Sequence, residues 1–166
     1  MKRQRLIVLV AGLAQMLMFG TLAPAMASNT HHAVLLPVRE VPICSSGASG
    51  VFEATARDDQ SAIDFQLTYQ NLIGTVSVAH IHFGKPTQAG GIIAFLCGGG
   101  GKPDCLPSPA IVTGTITPSD ILGPEAQGIA PGEFVEALNA LRHGLTYANV
   151  HSSICPSGEI RGQITW

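Results

Sequence analysis

The sequence predicts an all-β domain, a two-sheet antiparallel sandwich crossed by one short helix. Three observations lead there. Only 12% of the 166 residues are charged while there are 19 glycines and 11 prolines, a composition of short strands and tight turns rather than of long helices or a disordered chain. Ile63, Phe65, Leu67 and Tyr69 alternate with Asp64, Gln66 and Thr68, the period-2 pattern of a strand with one buried face. Helical periodicity is sustained in one place, where Phe134, Leu138, Leu141 and Leu145 recur at steps of four, three and four.

Residues 1–27 read as an export signal, which sets the compartment for the rest. Lys2, Arg3 and Arg5 precede an apolar run that Gly20, Thr21 and Pro24 interrupt, and Ala25-Met26-Ala27 is the small-x-small pattern of a cleavage site. A retained anchor would need about 20 apolar residues, so no membrane span is expected after cleavage. Removing 1–27 leaves six basic residues against 11 acidic ones, with no Lys/Arg cluster to attract nucleic acid. The expected location is secreted or periplasmic.

Residues 28–49, with Pro37, Pro42 and a Ser/Gly cluster, show no sustained period and are read as an extended lead-in. The domain proper is placed at 50–166. A strand at 51–57 is followed by the polar loop Asp58-Asp59-Gln60-Ser61, then by the strongly alternating strand 63–69. Further strands are expected at 76–83, at the apolar, glycine-bounded 91–97, and at 110–117, rich in β-branched residues. Thr117-Pro118-Ser119-Asp120 has a Thr N-cap, Pro at the first helical position and an acid in the first turn, the makings of one helical turn. Pro131 and Gly144 bracket the amphipathic helix of about three turns, and strands at 146–151 and 159–166 close the chain.

Cys44, Cys97, Cys105 and Cys155 form an even set in an exported chain, which reads as disulfides. The Gly-rich segment 97–105 is the most economical to close, leaving Cys44 to pair with Cys155. A soft-metal site is the competing reading, but no C-x-x-C pair supports it. The expected core joins Ile63, Phe65, Leu67 and Tyr69 to Ile160, Ile164, Phe134, Leu138 and Leu141.

Alternation also sets out a candidate metal site. Residues two apart on a strand share a face about 6.5–7 Å apart, so His80 and His82 project together, as do Tyr147, Asn149 and His151. If His151 lies across from the His-x-His pair, three neutral imidazoles become available to copper or zinc. The bland alternative stays open: histidines on a half-buried face commonly hydrogen-bond carbonyls or carboxylates. Glu159 and Arg161 share a face and could join Asn149 or His151 in a network that orients an imidazole, but the role expected of them is a structural ion pair. His31 would complete an amine-plus-His copper chelate if cleavage fell after Ser28, which the favoured site after Ala27 does not allow. His143 is expected to meet the last carbonyls of the helix. Nothing supports nucleophilic catalysis or phosphate binding, since no Gly-x-Ser-x-Gly is present and Gly98 to Gly101 are not followed by Lys-Ser/Thr.

Five strings in order resemble the CHRD domain, the chordin-type module: Ala79-His80-Ile81-His82-Phe83-Gly84, the apolar strand at 91–96, Gly114-Thr115-Ile116-Thr117, Gly144-Leu145-Thr146-Tyr147-Ala148-Asn149-Val150-His151, and Gly158-Glu159-Ile160-Arg161-Gly162-Gln163-Ile164. The resemblance covers about 51–166, and Ala148 stands where the family's string usually has Val. It implies an exported sandwich or barrel of immunoglobulin-like or copper/zinc superoxide dismutase-like form, with no enzymatic activity attached. A dismutase itself is not expected, because its bridging His and its Asp cannot be assembled around His80 and His82. Two functions follow: a non-catalytic binding or structural module for an extracellular or periplasmic protein or surface component, or a small copper- or zinc-binding protein using His80, His82 and His151.

Overall fold

A computed structural model describes residues 29–166, so the expected signal at 1–27 lies outside the described residues. Eight strands form two antiparallel four-stranded sheets, ordered β1-β2-β3-β6 and β5-β4-β7-β8. Their ranges are β1 Thr30–Leu35, β2 Ser49–Ala56, β3 Ile63–Gln70, β4 Val76–Phe83, β5 Gly91–Cys97, β6 Ala110–Ile116, β7 Thr146–Ser152 and β8 Ile160–Gln163. The helix, α1, spans Phe134–Arg142. The sheets do not close into a barrel, although single bridges from His32 to Thr165 and from Leu36 to Arg161 tie β1 to the end of the chain. No described helix is long and apolar enough to cross a membrane.

The core forms where the two inner faces meet. Ile63, Phe65, Leu67 and Tyr69 all point inward and are buried, as are Ile160, Ile164, Phe134, Leu138 and Leu141. From the second sheet Ala79, Ile81, Ala148 and Val150 meet them. Small residues there let the sheets approach, as at Gly162, where a Cβ would lie 2.4 Å from the Val34 carbonyl oxygen. The turn at Pro118–Asp120 is a 3-10 helix with a capping box, in which Asp120 accepts from the Thr117 amide at 2.7 Å. Gly144 ends α1 with φ +65°, and His143 donates from Nδ1 to the Asn139 carbonyl at 2.7 Å.

The expectation for the N-terminal segment is corrected. Residues 28–49 are not merely a lead-in, because Thr30–Leu35 pairs along its whole length with β2 as an edge strand of the first sheet. Its inward residues are His31, Ala33 and Leu35, while Val34 points out to solvent, so hydrophobicity does not alternate even though burial does. The same pairing is incompatible with an amine-plus-His chelate at His31: the residue is fully buried, with its ring 4.4 Å from that of Trp166. Burial lowers its pKa.

The two disulfides join Cys44 to Cys155 and Cys97 to Cys105. The first spans 111 residues and straps the connection between β1 and β2 onto the loop between β7 and β8. The second closes the glycine-rich turn after β5.

Candidate metal centre

The outward face of a sandwich sheet normally meets water, yet β7 is buried at every position. Alternation puts Ala148 and Val150 in the core, so Tyr147, Asn149 and His151 must occupy the outer face. Register aligns them with their neighbours. His80 lies opposite Asn149, which in turn lies opposite Arg161, and His82 lies opposite Tyr147, which lies opposite Gln163. Three loops shut this polar face from solvent. The 84–90 loop is held by Arg161, whose Nη2 donates to the Lys85 and Gln88 carbonyls at 2.8 Å each. The 36–48 segment brings buried Glu40, and the 153–158 loop brings Pro156, the two linked by the Cys44–Cys155 bridge. Gly158 is required beneath Glu40: its φ is +129°, and a Cβ there would fall 2.4 Å from the carboxylate.

The register brings all three expected histidines together. One ligand-capable nitrogen from each of His80, His82 and His151 lies within 4.8 Å of the others. His80 Nδ1 donates a hydrogen bond to His151 Nε2 at 3.2 Å, a separation close to the about 3.3 Å that two nitrogens have on one tetrahedral ion at about 2.0–2.1 Å once that proton is displaced. Backbone carbonyls orient two of the rings. His82 Nδ1 donates to Gly90 O and His151 Nδ1 to Pro156 O, both at 2.9 Å. A carbonyl only accepts, so in each neutral ring the proton is on Nδ1 and the lone pair on Nε2, the arrangement that outer partners impose on metal-binding histidines. His82 Nε2 is buried and has no hydrogen-bond partner.

Rings pack around the nitrogens. His82 stacks on Tyr147 with centroids 4.8 Å apart, the Arg161 guanidinium lies 3.3 Å over the Tyr147 ring, and Phe95 meets His80 edge-on at 4.5 Å. Burial is the main cause of depressed basicity: His80 is pushed down to about 3 and His82 to about 4, and His151 is lowered too. Nearby imidazoles add to the effect at His80, and the Gly90 and Pro156 carbonyls oppose it at His82 and His151. All three are therefore neutral, and competent to ligate, at neutral pH.

The expected Glu159–Arg161 pair does not form. Glu159 accepts from the Ile73 amide at 2.9 Å and from the Ser152 hydroxyl at 2.5 Å, while Arg161 is committed to carbonyls and to Tyr147. Among the described residues the ion pairs are Arg57–Asp64 and Lys102–Asp120, both elsewhere. Backbone groups left by the turns claim the two side chains before they can claim each other. The residue that sequence reasoning left out is Glu40, which burial raises to about 7. Its only signal was an acidic residue in a stretch of Pro and Val, and nothing in that stretch told which surface it would cover.

The CHRD family model matches residues 31–164. The chain belongs to the CHRD family. Comparison with curated proteins and with solved structures finds no match. The family match begins inside β1, so this edge strand is part of the CHRD domain. His80, His82, Asn149 and His151 all fall within the CHRD match, on the buried outer face of its second sheet.

Proposed function

We propose that this CHRD domain is an exported, disulfide-braced, non-catalytic binding module whose ligand is a single copper or zinc ion held by His80, His82 and His151. The observation that carries the reading is the convergence of three ring nitrogens within 4.8 Å, on rings whose other nitrogens are in two cases fixed by carbonyls. Three neutral imidazoles suit both metals, and the absence of thiolate donors in the cluster points away from sites built for soft ions alone. The three side chains come from β4 and β7, adjacent strands paired along their length, so they occupy neighbouring positions on one sheet. The disulfides and the expected signal agree with a working place outside the cytoplasm.

The test is a metal titration of protein purified without a His tag and stripped with chelator. Copper or zinc at a hundredfold excess over its dissociation constant adds about 2.7 kcal/mol of stability, read as a higher melting temperature, and His82→Ala removes that gain while the variant stays folded. A wild type whose melting does not respond to either metal at neutral pH overturns the reading. The histidines would then serve as hydrogen-bonding struts, and the CHRD domain would act as a module for another exported protein or surface component.

A further inference from the structure

Three histidines leave a tetrahedral ion one donor short. Structural sites fill the fourth position from the protein, whereas catalytic sites keep it open. Several nearby groups are already committed. Both Glu159 carboxylate oxygens accept hydrogen bonds, the Tyr147 hydroxyl accepts from the Gly90 amide at 3.0 Å, and all four cysteines are in disulfides. Glu40 Oε2 accepts from the Val41 amide at 3.3 Å, and its carboxylate packs directly against Gly158.

Asn149 is different. It lies between Tyr147 and His151 on the same face of β7, directly opposite His80, and is only 3% exposed. Its Oδ1 is fully buried and has no hydrogen-bond partner, a state that costs about 1–3 kcal/mol unless something compensates. The orphaned atoms are concentrated here: of eight such buried side-chain atoms among the described residues, five belong to Glu40, His82, Asn149, Arg161 and Gln163.

We infer that Asn149 supplies the fourth donor of the centre through Oδ1, so that the occupied site is closed to water and to added anions. This rests on the metal-binding reading above and deepens it, since a closed site is one that holds an ion rather than one that works on a substrate.

Cobalt(II) in place of zinc makes the coordination visible. The stripped wild type should take up cobalt with the intense visible bands of a four-coordinate ion, and azide should leave those bands unchanged. Asn149→Ala should bind cobalt about 10–100-fold more weakly and show bands that azide shifts, while Asn149→Asp should restore an azide-insensitive spectrum. Near-UV circular dichroism checks that each variant is folded, and the azide response of the wild type decides the matter even if Asn149→Ala is not. Wild-type bands that shift with azide, or an Asn149→Ala variant with wild-type affinity and spectrum, overturn the assignment of Asn149 alone. A wild type that binds neither cobalt nor zinc overturns the metal reading and this inference together.

Discussion

The two sheets of this CHRD domain have the same number of strands and share one core, yet their outer faces are opposites. On the first sheet Glu53, Asp64 and Gln66 face solvent, and its ion pair, Arg57–Asp64, is about half exposed. On the second sheet the corresponding positions carry His80, His82, Tyr147, Asn149, His151 and Arg161, all buried under three loops. A polar residue on the first face is hydrated and nearly free of cost, while one on the second must find a partner or shed its charge. The contrast shows that in a sandwich the chemistry gathers where the loops cover a face, not where the strands alone present one.

Removing the strap that holds those loops is the harshest way to break the comparison. Replacing Cys44 and Cys155 with Ala should cost about 4–5 kcal/mol in the chain-entropy account, against about 2.5 kcal/mol for the short Cys97–Cys105 loop, with separations of 111 and 8 residues. Urea unfolding of the two double variants measures this difference. The first should also weaken the proposed metal binding, because Pro156 and Glu40 sit on the segments it ties. Equal losses, or unchanged metal affinity, would show that the loops hold their places without the bridge.

On the shared core side of the first sheet, Phe65→Ala should cost about 3–5 kcal/mol, measured by chemical denaturation. Phe65 is 5% exposed and stacks on Phe52 with centroids 6.2 Å apart. A loss below about 1 kcal/mol would mean that the neighbouring side chains collapse into the space, contrary to the close packing seen between the sheets.

Acid gives the subtlest separation of the two faces. In the metal-free protein His80 and His82 titrate at about 3 and 4 when folded and near 6.5 when unfolded, so the unfolded chain takes up protons that the native one refuses. Their stabilising contribution is complete above about pH 6.5 and is lost as pH falls toward 4, with His151 and buried His31 acting in the same sense. Glu40, raised to about 7, works the other way and adds stability as pH falls from 7 toward 4.5. The histidines outnumber it, so the urea midpoint should drop between pH 6.5 and 4.5, and drop more steeply in Glu40→Gln. Asp64 on the first sheet, held at about 2 chiefly by its hydrogen bond from Arg57, contributes nothing across that window. A midpoint that is flat or rises on acidification would contradict the burial of the imidazoles.

What could be read from the chain follows the same divide. The strong alternation of β3 announced a sheet with one wet face, and its inward residues are the ones expected. Strand β1 escaped notice because its buried row is His31, Ala33 and Leu35 while Val34 points outward, so burial alternates and hydrophobicity does not. The paired spacing of His80 with His82, and of Tyr147, Asn149 and His151, was enough to place each set on one face, because strand geometry allows nothing else.

By itself, then, the sequence determined seven of the eight strands, the helix bounded by Pro131 and Gly144, the disulfide-ready cysteines and the face on which every candidate ligand lies, since these depend on local periodicity and backbone sterics. Only the tertiary structure decided that β4 and β7 pair in the register that sets His80 against Asn149, that Glu159 and Arg161 bind backbone groups instead of each other, and that Glu40 arrives from 40 residues before His80 to cover the site. Those facts depend on how loops far apart in the chain settle over one sheet, and no local period records where a loop will land.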